Sequence, residues 1–176
     1  MRTLYGAFLA AALIMPGSLS AQSKNAALAL DDSVIVGIFD AANTWDIATG
    51  SLAATRATRK DVKDLGAMLA RDHKVVQDSA RKLAAKLNVA PIPVPADFPL
   101  KVAHEAAMKK LSALSGPAFD RAFLEHEVAY HKAVGEALNT SLIPAMKSPE
   151  LKAYVTQVVP AFAAHLLAAE TLLKKQ

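Results

Sequence analysis

Between Arg59 and Asn88 the apolar residues Val62, Leu65, Leu69, Val76, Leu83 and Leu87 fall near heptad spacing, with charged residues on the remaining faces. Only an α-helix gathers that period into one continuous stripe, and a stripe of that length must be buried against another element. Three further segments read the same way. After an Asp31, Asp32, Ser33 start signal, the first spans Val34 to about Thr55 with Ile35, Ile38, Phe39, Ala42, Ile47 and Leu52. Another begins at Pro117 and carries Phe119, Phe123, Leu124, Val128, Val134, Leu138 and Leu142. The last runs from Pro149 to Leu173 with Val155, Val158, Phe162, Leu166, Ala169 and Leu172, opened by Ser148 as cap and Glu150 in the first turn. Hydrophobic residues make up 53% of the chain and Gly only 7 positions, a balance that favours helix over sheet.

Proline punctuates these rods. Val89 to Pro99 cannot continue a helix, because each ring removes a donor and restrains the residue before it, so it reads as an extended crossover. A short helix from about Lys101 to Leu114 follows, ended by Ser115, Gly116 and Pro117. Pro160 interrupts the last rod and predicts a bend one turn before His165. The expected fold is all-α, a ferritin-like antiparallel four-helix bundle with one short accessory helix.

At the amino terminus, Arg2 precedes an apolar run from Leu4 to Met15 and the small-residue stretch Pro16, Gly17, Ser18, Leu19, Ser20, Ala21. This predicts a secretory signal peptide over residues 1–21, a single helical domain over 22–176 and a periplasmic location. The run is shorter than the roughly 20 residues a transmembrane helix needs, and no transmembrane segment is expected after it. With 0 Cys, neither disulfides nor a covalent haem motif contribute, so the core must carry stability. Without Arg2 the basic excess of 20 over 16 becomes 19 over 16, spread along the chain rather than gathered into a stripe, which disfavours nucleic-acid binding.

Each long stripe is broken near its middle by one polar residue: Asp46, His73, His131 and His165. In an antiparallel bundle mid-helix positions come to one height, so three imidazoles and a carboxylate converge in a single core layer. Neutral imidazole and carboxylate are ligands for zinc, iron, copper or manganese. Without a metal, burying them calls for mutual hydrogen bonds. Glu127, one turn before His131, is a further candidate ligand. Asp72 points about 100° away from His73, in keeping with a supporting or surface role. His104 and His126 read as surface residues, and Trp45 as packing.

These residues resemble the bacterial secreted family of domain of unknown function 4142, a ferritin-like group. The resemblance rests on Trp45, Asp46, Ile47 with Gly50 and Leu52; on Arg71, Asp72, His73; on Leu114, Ser115, Gly116 through Phe119, Asp120, Arg121; and on Pro160 with His165, Leu166. It implies the fold, export and the candidate site. Where the family usually has Glu in the first helix this chain has Asp46, and where it has an Asp-His pair this chain has Tyr130, His131.

A metal-binding protein of the periplasm with a redox or envelope-stress role is the leading expectation. The alternatives are a non-catalytic stress or partner-binding helical module whose polar layer only specifies packing, and non-covalent haem held by two histidines. A di-iron oxidase is disfavoured, since its site draws on more inward glutamates. No nucleophile triad, P-loop or dinucleotide fingerprint is present. No catalytic residue is assigned, and protein partners and a homo-oligomer are left open.

Overall fold

In a computed structural model, residues 29–175 are described, so the expected signal peptide lies outside them. Every described element is helical: α1 (Asp32–Arg56), α2 (Lys60–Lys86), α3 (Pro99–Ala113), α4 (Gly116–Ala137), a π-helical turn (Leu138–Leu142), the short α5 (Ile143–Ala145) and α6 (Pro149–Leu173). The caps expected from sequence form: Asp31 accepts from the Val34 N–H at 2.9 Å, and Ser148 from Leu151 at 3.3 Å. The π turn, absent from the sequence expectation, lies just ahead of Pro144, which has no N–H, and the Ile143 N–H reaches back five residues to Leu138.

α1 packs along α2, α2 along α6, α6 along α4 and α4 against α1, closing a ring. Paired contacts show α1 and α2, and α2 and α6, running antiparallel: Asp40 with Arg81 and Asp46 with His73 on the first pair, Tyr154 with Val76 and His165 with Asp72 on the second. α1 and α2 approach most closely at Gly50 and Gly66, where a Cβ on either would sit 2.7 Å from the other's carbonyl oxygen. α3 lies across α1 and α4.

Two carboxylates latch the ends. Asp32 accepts from the Lys147 and Ser148 N–H groups at 2.8 and 2.9 Å, holding the start of α6. Buried Asp120 accepts from Thr58 N–H, Thr58 Oγ1 and Arg59 N–H at 2.8, 2.7 and 2.9 Å, closing the α1–α2 turn.

The apolar interior is divided. One cluster gathers Ile35, Phe39, Val134, Leu138, Val155 and Phe162; the other gathers Val62, Leu69, Leu111, Phe119, Phe123 and Leu124. The polar stripe residues lie between them. Among the described residues, α6 alone is long and apolar enough, by length and composition, to cross a membrane. Only 22% of its most apolar window is buried, but Phe162 and His165 are among its buried residues, and the helix packs against α2 and α4.

Candidate metal centre

Asp46 on α1, His73 on α2, Glu127 and His131 on α4 and His165 on α6 are all buried, with exposures of 1, 1, 0, 3 and 6%. The three imidazole rings stand 5.1 to 5.7 Å apart between centroids, with the Phe162 ring 4.9 Å from His73. His73, His131 and His165 can each offer one nitrogen so that all three lie within 4.8 Å of one another. Asp46, Glu127 and His131 form a second such group. The five residues singled out as candidate ligands therefore come together, His131 belonging to both groups.

One nitrogen of each imidazole is held by an oxygen. His73 Nδ1 donates to Asn43 Oδ1 at 2.9 Å, and Asn43 is itself oriented by its Nδ2 donating to the Phe39 carbonyl at 2.7 Å. His131 Nδ1 donates to the Glu127 carbonyl at 3.0 Å, and His165 Nε2 faces Asp72 Oδ2 at 3.3 Å. These acceptors place the proton on that nitrogen and leave a lone pair on the other. The remaining nitrogens, His73 Nε2, His131 Nε2 and His165 Nδ1, are buried without a hydrogen-bond partner, as are both oxygens of Asp46 and of Glu127.

Asp46 Oδ2 stands 3.0 Å from His73 Nε2 and 3.4 Å from His131 Nε2, without the alignment of a hydrogen bond. Two ligands of one tetrahedral ion with bonds of about 2.0–2.1 Å are spaced by roughly 3.3 Å. The donor set fits a metal ion in residue type, and the Asp46–His73 and Asp46–His131 spacings are those of two ligand pairs on one ion.

Burial lowers the pKa of His131 and of His165, and repulsion from the neighbouring imidazoles adds to it, so both favour the neutral, ligating form. Burial alone would raise Asp46, but a proton carried by His73, His131 or His165 attracts its charge, and this outweighs burial and holds the carboxyl below the usual range. For Glu127 the nearby Thr49 hydroxyl is too weak a counterweight: burial, then the Asp46 charge, push it well above the usual carboxylate range. Tyr130 is raised well above its ordinary value by burial and both carboxylates, and its hydroxyl donates to the Ala42 carbonyl at 2.7 Å.

Two surface assignments are corrected. His104 is buried at 8% exposure because α3 lays it on Trp45, ring centroids 5.7 Å apart, and Phe98 stacks on the same indole at 6.5 Å. His126 is half-buried beside Tyr130, and loss of solvent lowers its pKa to about 4. Charged neighbours in sequence had suggested exposure, but α3 covers this part of α4. Asp72, read only as a supporting or surface carboxylate, is the partner that orients His165. Asn43 was missed. Its signal was an inward polar residue one turn before Asp46 on the same stripe.

The model of the family described as Domain of unknown function (DUF4142) matches residues 17–172. The chain belongs to this family. Among curated proteins none matches. A solved structure of CopM in the Cu(II)-bound form aligns with a TM-score of 0.64 at 14% identity, covering 83% of this chain and 98% of that one. At that identity the likeness concerns the helical fold. The all-α architecture is common to both.

Proposed function

We propose that the chain is a periplasmic, ferritin-like four-helix bundle that binds a transition-metal ion through Asp46, His73, His131 and His165, with copper the foremost candidate and an envelope-stress role in holding that ion. The observation that carries this is the division of labour within each imidazole: one nitrogen tied to an oxygen acceptor, the other buried and free. Outer acceptors of this kind fix the tautomer and direct a histidine at a metal. A layer that served packing alone would satisfy its own polar atoms, because a buried unpaired donor or acceptor costs about 1–3 kcal/mol.

Three imidazoles and one carboxylate favour copper(II) or zinc(II) over manganese(II), and copper(II) stands highest in the general affinity order. The copper(II)-bound state of CopM supports the same choice. Bound there, copper would supply electron-transfer chemistry. The protein's contribution is a dry enclosure that keeps the ion away from solvent. Haem is a poor fit, since imidazoles packed 5.1 to 5.7 Å apart against Phe162 leave no plane for a macrocycle.

The test is elemental analysis of protein purified from a periplasmic extract without chelator, followed by dialysis against copper(II) or zinc(II). The wild type should retain at least about one ion per chain, and His73→Ala should lose the ion held by the imidazoles. A wild type that stays metal-free in both dialyses sinks the reading.

A further inference from the structure

We propose that Asp46 and Glu127 form a second cation position beside the imidazoles, with the Asp46 carboxylate bridging the two ions. This rests on the metal-binding reading above and extends it from one ion to two. On that reading a single four-coordinate ion would employ His73 Nε2, His131 Nε2, His165 Nδ1 and Asp46 Oδ2, the atoms left without a hydrogen-bond partner. Asp46 Oδ1 and both oxygens of Glu127 then remain buried with no hydrogen-bond partner.

Glu127 is 0% exposed and has ligand atoms within 4.8 Å of both Asp46 and His131. Its place in that group, and not in the group formed by the three histidines, sets it on the Asp46 side of the layer. His131 Nδ1 lies 3.5 Å from Glu127 Oε2 while donating to the Glu127 main-chain carbonyl, so that ring does not satisfy the carboxyl. Two buried carboxylates with free oxygens facing one another stay together only around positive charge, a proton or a cation.

The two positions differ in chemistry. The first is rich in nitrogen and selects copper(II). The second is rich in oxygen and suits a divalent ion such as zinc(II) or manganese(II). Two divalent ions set against two carboxylates leave an excess of positive charge, so the second ion binds more weakly than the first.

The experiment loads the whole mature protein with one equivalent of copper(II), dialyses it against zinc(II) and counts both metals. Copper(II) stands above zinc(II) in affinity at such ligands and should hold the imidazole position through the challenge. Wild type should carry about one copper and about one zinc, and Glu127→Gln about one copper and less than about 0.1 zinc. The retained copper shows that the variant is folded. Copper at one equivalent with no zinc in the wild type overturns the second position and leaves the first standing; equal zinc in Glu127→Gln does the same. Loss of copper from Glu127→Gln, with native circular dichroism, would make Glu127 a ligand of the first ion and also overturn the proposal. A wild type that takes up neither copper nor zinc removes the single-ion reading and this extension together, and one that takes up zinc alone overturns this extension.

Discussion

Asp120 and Asp46 are both interior aspartates, 0% and 1% exposed, yet their surroundings are opposite. Asp120 meets three donors, two of them main-chain N–H groups at the α1–α2 turn. Asp46 meets none; it faces imidazole nitrogens whose protons are held on the far side of each ring. The first carboxylate completes a structure, whereas the second is the one assigned to a cation in the proposed function. Equal burial therefore says little about role until the partners are counted.

Removing each carboxylate should break the molecule in a different way. Asp120→Ala leaves the part-buried Thr58 and Arg59 N–H groups without their acceptor and should cost about 1–3 kcal/mol in urea denaturation, by the same amount with and without copper(II). A loss that depended on copper would erase the contrast between the two aspartates.

Copper(II) at about a thousandfold excess over its Kd should stabilise the wild type by about 4 kcal/mol. His73→Ala, His131→Ala, His165→Ala and Asp46→Asn should each lose nearly all of that gain. Metal-free Asp46→Asn should stay within about 1 kcal/mol of wild type, because it removes a charge that no protein donor satisfies. Binding should weaken as pH falls below the ordinary histidine value near 6.5, since burial lowers His131 and His165 and protons compete with metal for their nitrogens only there. A copper-induced rise in melting temperature that persisted unchanged into acid would argue against imidazole ligands.

Asn43→Ala touches no ligand atom but frees His73 to turn or change tautomer. Copper affinity measured by competition with a chelator should fall roughly 10–100-fold while the stoichiometry is kept. Unchanged affinity would remove Asn43 from the centre.

The smallest effect concerns His104, whose pKa burial lowers below its ordinary value. A base held neutral by burial contributes stability that is present above the unfolded value near 6.5 and lost as pH falls through the lower folded value. His104→Phe keeps the ring on Trp45 and should flatten the fall in stability between about pH 7.5 and about pH 5.5, followed by Trp45 fluorescence, with copper uptake unchanged. An equally steep fall would place the acid sensitivity elsewhere.

The family signature gains a physical meaning here. The Phe119, Asp120, Arg121 segment was legible as a motif, but the structure shows what its aspartate does: it ties α4 to the turn between α1 and α2. Arg56, unremarkable in sequence, closes the end of α3 by donating to the Leu114 and Ser112 carbonyls at 2.6 and 3.1 Å. Both are contacts across more than fifty residues, beyond the reach of periodicity.

The sequence by itself determined the helices and the inward set. The 3.6-residue period states which face of each rod is apolar, so an interruption such as His73 or His131 declares itself inward without knowledge of its neighbours. The near-equal lengths of α1, α2, α4 and α6 then put Asp46, His73, His131 and His165 at one height. Only the tertiary structure decided the rest. Which imidazole nitrogen is free depends on Asn43, the Glu127 carbonyl and Asp72, the first and last reached across α1–α2 and α2–α6 contacts. Whether His104 meets water depends on where α3 lies down. Helical period carries one angle per residue, whereas protonation and burial depend on the distances between elements, which packing alone sets.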